Sequence, residues 1–294
     1  MLDSRPSWIA RLALAVGLAA AFGYGVAPSD VAAQVGAMTL VVCAPGYPGS
    51  TAEAQSAMDG FAAAIAAGAG WKPGELRAIY FEAEQPGVAR FAAPDAALAL
   101  TALPFWLKHR AALRLTPHLQ AVEEGGAAAE AWTLVAPAGA VAAPSSLSGF
   151  ELVTIAGYAP RFVRGPALGP WGDLPADVRI VSSNNVLSAM RRASQGNKVA
   201  VMLDRASAAA VPSLPFAAKL QVVTTSAPLP VAVLSVVGDR VPASKLKALL
   251  KGLTSLETTP AGKQTLAGVR LARFVPADQA ALARAREMFD RARD

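Results

Sequence analysis

The feature that most constrains this chain is an alternation of short apolar runs, glycine- and proline-rich loops, and segments with helical periodicity. Met38–Cys43 is a continuous apolar run, as suits a strand buried on both faces of a parallel sheet. The loop Ala44-Pro45-Gly46-Tyr47-Pro48-Gly49 follows, and then Ser50-Thr51-Ala52-Glu53 has the spacing of a capping box. Met58, Phe61, Ala62 and Ile65 recur at helical intervals until Gly68. Strand, loop and capped helix make the first half of a βαβ unit. The pattern continues with strands over Leu76–Phe81 and 97–101, and a helical segment near 87–91 lies between them. It restarts at Trp132-Thr133-Leu134-Val135-Ala136, with strands over 150–155, 178–181, Val199–Leu203, 220–223 and 231–237 and helices over 161–168 and 186–195. The tail reads as helical, with Leu246, Leu249, Leu250, Leu253 and Leu256 on one face and Leu282, Ala285, Phe289 and Ala292 on another. This is the signature of doubly wound α/β sheets flanked by helices.

With 294 residues, 53% apolar and 16% charged, the chain has enough apolar surface to offset its ordering entropy, which excludes disorder. The length predicts two compact lobes or one large domain. Cys43 is alone, so no intramolecular disulfide and no cysteine-ligated zinc are expected.

Arg5 and Arg11 precede an apolar stretch over residues 12–27, and Pro28, Ser29, Asp30 and the small residues Val31, Ala32 and Ala33 follow it. That layout predicts a cleaved secretory signal peptide over 1–33, because the stretch is shorter than the roughly 20 residues a spanning helix needs. The expectation is an exported, periplasmic protein with no stable membrane insertion after cleavage. The net charge of +6 is dispersed, and no basic run alternates with aromatic residues, so no nucleic-acid partner is expected.

Enzyme signatures are missing from the sequence. It has no G-x-S-x-G elbow, no Walker loop and no G-x-G-x-x-G. His109 and His118 are placed in a Leu- and Arg-rich helical stretch and read as solvated surface residues, without metal-ligand spacing. No catalysis, no cofactor and no metal are expected.

Four stretches carry a resemblance. Trp132-Thr133-Leu134-Val135 with Ser145-Ser146-Leu147-Ser148-Gly149 is similar to a crossover strand and an "S-x-x-D-L-x-G" turn, and 189–204 is similar to an "A-V-x-x-G-x-x-D-A-A" segment. Thr225-Ser226-Ala227-Pro228-Leu229-Pro230 is similar to an "S-x-x-L-P" return, and Leu253-Thr254-Ser255-Leu256 with Thr259-Pro260-Ala261-Gly262 to an "L-x-x-L-x-x-T-P-x-G" tail. Over most of 38–276 the chain thus resembles the periplasmic substrate-binding proteins of ABC importers, of the phosphate, phosphite and phosphonate type. Two departures are Ser148, where the family turn has Asp, and Gly157-Tyr158-Ala159-Pro160, which lacks the family's run of Ser and Thr.

The resemblance implies an α/β, two-lobed, type II periplasmic-binding fold, each lobe a doubly wound sheet. Lobe 1 is expected over 34–130 and 231–294, and lobe 2 over 131–230. It implies an exported protein that captures a small phosphate- or phosphonate-like ligand for the membrane subunits of an ABC importer. The alternative is a ligand-sensing or accessory interaction protein with a degenerate cleft, which exposure of the apolar loops at 103–107 and 214–216 would favour.

In doubly wound sheets ligands bind outside the carboxyl ends of the strands. The expected ligand-binding residues are therefore Tyr47, Gly49, Ser50, Thr51, Thr101, Tyr158, Ser183, Asn184 and Asp204. Structural roles compete with these. Ser50 and Asn184 suit helix caps, Tyr47 and Tyr158 suit either the cleft or the sheet edge, and Asp204 suits a cap or an ion pair with Arg205.

Overall fold

The computed structural model describes residues 36–293 apart from 48 and 127, so the expected signal segment lies outside the described residues. Two sheets carry the fold. The first has the strand order β2(Leu76–Phe81), β1(Met38–Cys43), β3(Ala96–Ala102), β12(Ala232–Val237), β4(Leu115–Glu123), β13(Leu271–Pro276). Strands β2, β1 and β3 are parallel, whereas β12 runs antiparallel to both β3 and β4. The second sheet has the order β8(Arg179–Ser182), β7(Glu151–Thr154), β9(Val199–Leu203), β6(Thr133–Pro137), β10(Leu220–Thr225). A two-stranded ribbon, β5(Ala129–Glu130) with β11(Leu229–Pro230), lies where the chain leaves the first sheet and where it returns.

Local chemistry explains the elements. Helix α1(Thr51–Gly68) starts at Ser50, whose Oγ accepts from the Glu53 N–H at 3.3 Å while the Glu53 carboxylate accepts from the Ser50 N–H at 2.8 Å. Its buried residues Met58, Phe61 and Ile65 cover one face of the first sheet together with Leu40, Leu98 and Phe274. The helical segment expected near 87–91 forms α2(Glu84–Arg90), which begins three residues earlier. Helix α3(Leu103–His109) buries Leu103, Phe105, Trp106 and Leu107. The apolar loop at 103–107 is therefore core, and Leu214 and Phe216 are half-buried against the second sheet. In the second sheet α5(Val186–Ser194) buries Ala189, Met190 and Ala193 beside β9, which is buried at every position. Asp204 caps the short helix α6(Arg205–Ala210) by accepting from the Ser207 N–H at 2.8 Å.

Four local expectations are corrected. The stretch between the histidines is not one helix. Arg114 turns the chain with φ at 53°, and His118 lies in β4 beside Pro117, which a helix interior excludes. His109 is not a solvated residue, because its Nε2 is 2.6 Å from Glu84 Oε1 and its ring stacks 4.6 Å from that of Phe105. The tail is interrupted by β13, an edge strand in which Phe274 alone is buried, too weak an alternation to register in sequence. Residues 161–168 form a single α turn followed by a π-type turn over Val163–Ala167, with Pro166 inside it.

One apolar cluster runs from the first sheet to the second. It joins Val41, Cys43 and Phe105 to Trp132, Leu134 and Phe162, and then to Leu282, Ala285 and Phe289 of the last helix, α9(Gln279–Arg291). Trp132 meets Phe162 edge-on at 5.3 Å. Helix α9 follows a strand of the first sheet yet packs on the second. Arg110 donates to both carboxylate oxygens of Asp290 at 2.7 and 2.6 Å. Arg161 donates to the carbonyls of Asp290 and Ala292 at 2.8 and 2.9 Å. The Phe289 ring takes the guanidinium carbons of both arginines, at 5.7 and 4.8 Å.

Gly165 permits this contact, because a Cβ there would sit 2.5 Å from the Met288 carbonyl oxygen. Gly165→Ala is expected to destabilise the protein by about 1–3 kcal/mol through overpacking against that main chain, measured by urea unfolding. An unchanged midpoint would mean that α9 is not held this tightly.

Candidate functional site

The carboxyl ends of β1 and β3 in the first sheet face the loop after β7 in the second across a narrow, closed cleft that leaves no room for a water-sized sphere. Tyr47, Ala102 and Pro104 line it from one side, Ile155, Ala156 and Tyr158 from the other, and Glu130, Trp132 and Val231 form its back wall at the connecting ribbon. The loops touch through main chain. Gly46 has φ at 85°, and a Cβ on it would lie 2.9 Å from the Ile155 carbonyl oxygen, so glycine is required on both counts.

Three acidic residues gather at the back of this cleft. Glu130 and Asp204 are 4% and 5% exposed. The main-chain N–H of Arg205 donates to Glu130 Oε2 at 3.3 Å, and the Arg205 guanidinium donates to Glu123 at 3.1 Å. The only cation in the group is thus already paired with Glu123. Burial pushes the Glu130 carboxyl up to about 8, and the neighbouring charges of Asp204 and Glu123 push in the same direction against the weaker pull of Arg205.

Both tyrosine hydroxyls stay protonated. The Tyr47 phenol is raised well above its ordinary value by burial and then by the charges of Glu130, Asp204 and Glu123. Burial does the same to Tyr158, followed by Cys43 and Glu84, while the Phe105 main-chain N–H opposes it. Lys108 closes the mouth, since its Nζ donates to the Tyr158 carbonyl and pairs with Glu84 Oε1, both at 2.6 Å. The cleft therefore presents neutral O–H donors and aromatic faces rather than fixed cations.

Of the nine expected ligand residues, Tyr47 and Tyr158 line the cleft, and Asp204 stands close enough to raise Tyr47 and Glu130. The other six do not line it. Ser50 is held in its capping box, and the Thr51 hydroxyl is 2.8 Å from the Tyr80 carbonyl oxygen and 3.0 Å from Glu82. Gly49 supplies a φ of 105° ahead of the Ser50 cap. Thr101 is 1% exposed within the first sheet, and its hydroxyl has no hydrogen-bond partner among the described residues. Ser183 Oγ accepts from the Asn185 N–H at 3.1 Å. Asn184 is exposed, and the cap of α5 is Asn185, whose Oδ1 accepts from the Ser188 N–H at 3.1 Å.

Glu130 and Trp132 escaped the sequence reading because 123–130 scans as a polar connector and 132 as the start of a strand. A lone glutamate between alanines next to a tryptophan was the available signal.

Among the described residues no group of three or more His, Cys, Asp or Glu is placed to hold a metal ion, and no helix is long and apolar enough to cross a membrane. The fold recurs in XAC2383 from Xanthomonas citri, solved with chloride, at a TM-score of 0.66 and 15% identity, over 86% of this chain and 96% of that one. It recurs in PA3383 from Pseudomonas aeruginosa, a binding protein component of an ABC phosphonate transporter, with TM-score 0.60, 13% identity and coverage of 86% and 85%. PhnD1 from Prochlorococcus marinus, in complex with methylphosphonate, matches with TM-score 0.59 and 13% identity over 85% and 96%. These likenesses place the chain among two-lobed periplasmic-binding folds. No protein of curated function matches the sequence significantly. The family model described as "ABC transporter, phosphonate, periplasmic substrate-binding protein" matches residues 100–282, more than half of the chain, which therefore belongs to that family.

Proposed function

We propose that this protein captures a compact phosphonate-like anion between two lobes, residues 34–130 with 231–294 and residues 131–230, and presents it to the membrane subunits of an ABC importer on the periplasmic side. The observation that carries this reading is the convergence of Tyr47 from the first sheet and Tyr158 from the second on one cleft at the strand ends. Two protonated phenols from opposite sides are donors that a phosphonate oxygen bridges, so that the ligand itself ties the lobes together. The ribbon of β5 and β11 is the place for a hinge, because it is the two-stranded link between the sheets. Trp132 supplies an apolar wall for the organic substituent. The complex of PhnD1 with methylphosphonate supports the choice of anion. Ser50, Thr51 and Ser183 act in this reading as scaffold, which shapes the loops that carry the tyrosines. The protein binds its ligand without transforming it.

A second reading, an interaction protein with a degenerate cleft, draws on the closure of the cleft, which leaves no room for a water-sized sphere. Thermal unfolding with methylphosphonate, phosphate, an alkyl sulfonate and neutral metabolites separates the two. Stabilisation of about 2.7 kcal/mol at a hundredfold excess over Kd is expected for the phosphonate, and silence across the panel supports the second reading.

Tyr47→Phe and Tyr158→Phe are each expected to weaken methylphosphonate by about 1.5–3 kcal/mol, roughly 10- to 150-fold in Kd, since each removes a hydrogen bond to a charged group. Ser50→Ala is expected to leave Kd unchanged while lowering stability by about 1 kcal/mol through loss of the cap. Calorimetric titration and urea unfolding read the two effects. A Kd that responds to Ser50→Ala but not to the tyrosine changes would contradict the assignment.

A further inference from the structure

An anion entering this cleft meets Glu130, nearly sealed from water, with the equally buried Asp204 close enough to act on its charge. The groups around Glu130 are few. Strand β11 across the ribbon offers only Leu229 and Pro230. The loop after β1 brings Tyr47, the second sheet brings Tyr158 across the cleft, and β4 brings Glu123, which is paired with Arg205. The start of α6 brings Asp204, one of whose oxygens is spent on the Ser207 N–H, and the main-chain N–H of Arg205. Among the described residues the cation beside Glu130 is Arg205, which pairs with Glu123 and pulls only weakly on Glu130, so a second carboxylate charge beside Asp204 in a space this dry is costly. A carboxyl that keeps its proton is an O–H donor instead of a repelling anion.

We propose that Glu130 is a specificity-determining residue of the cleft, which in its neutral form donates a hydrogen bond to an oxygen of the bound anion and makes capture depend on a proton held by the protein. The inference rests on the cleft being the anion site. Burial and the neighbouring carboxylates set the Glu130 ionisation at about 8, so the donor is present at neutral pH. The sign follows from linkage. The protonated form binds, so the contribution of Glu130 is complete well below pH 8 and is lost as pH rises through 8, with affinity falling up to tenfold per further pH unit.

The experiment is calorimetric titration of the protein with methylphosphonate between pH 6 and 9.5, for the wild type and Glu130→Gln. Glutamine keeps an N–H donor at every pH, and ionisation of the ligand itself affects both proteins alike. The expected result is similar affinity at pH 7 and, above pH 8, a decline in the wild type that the variant lacks. Parallel profiles overturn the proposal and leave the cleft as the site. So does tighter binding of methylamine than of methylphosphonate with release of a proton, because Glu130 is then a carboxylate that accepts from a cation. Absence of methylphosphonate binding by both proteins at every pH overturns the cleft reading and, with it, this role for Glu130. A carbon-13 titration of the glutamate carboxyls without ligand, assigned by the signal missing in Glu130→Gln, probes the premise separately. A midpoint near 8 supports it, and an ordinary carboxylate value overturns it.

Discussion

The continuous apolar core beneath the cleft is the constraint on which the rest of the molecule depends. Helices α3 and α9 and the turn after β7 bridge the two sheets, so Val41 and Phe105 share a cluster with Trp132, Phe162 and Phe289. Fully burying a side chain such as Phe105 or Phe162 contributes about 1.5–3 kcal/mol, and few arrangements bury several of them together. With the sheets joined in this way, the end of β1 faces the loop after β7 and Tyr47 is brought opposite Tyr158. Helix α9 adds a second tie, because Arg110 and Arg161 reach its last turns from the two sides and enclose Phe289.

The electrostatics of the cleft run against those of the surface. The chain carries a net charge of +6, yet the residues nearest the cleft are Glu130, Asp204, Glu123 and Glu84. A chain with fixed cations in its cleft would hold anions at any pH. Here Lys108 at the mouth is paired with Glu84, and the proposed capture relies on phenol and carboxyl protons, whose persistence follows from desolvation. The same groups discriminate by geometry, because an O–H donor must meet an acceptor oxygen at hydrogen-bond distance.

Much of the fold was legible in the sequence because period and punctuation agreed. The run Met38–Cys43 is apolar apart from Thr39 since it is covered on both faces, and the Ser50 and Glu53 capping box marks the start of α1 to the residue. Legibility failed where local signals were weak or mixed. Strand β13 has one buried residue, and β4 is interrupted by Pro117, so neither alternates cleanly. The site was half legible. Tyr47 and Tyr158, expected from the rule that ligands sit at strand ends, line the cleft, whereas the hydroxyls of Ser50 and Ser183 serve their own loops and that of Thr51 meets the Tyr80 carbonyl and Glu82. Glu130 was not legible, because its importance comes from Asp204, 74 positions further along the sequence and brought beside it only by the crossover between sheets.

The account stands or falls on where a ligand sits. The most direct measurement is a crystal structure of the protein grown with methylphosphonate. The account expects difference density between Tyr47 and Tyr158, with Glu130 and Trp132 behind it and both tyrosine hydroxyls within hydrogen-bond distance of phosphonate oxygens. Phosphonate bound elsewhere, or a cleft still closed by its own side chains at saturating ligand, would contradict it.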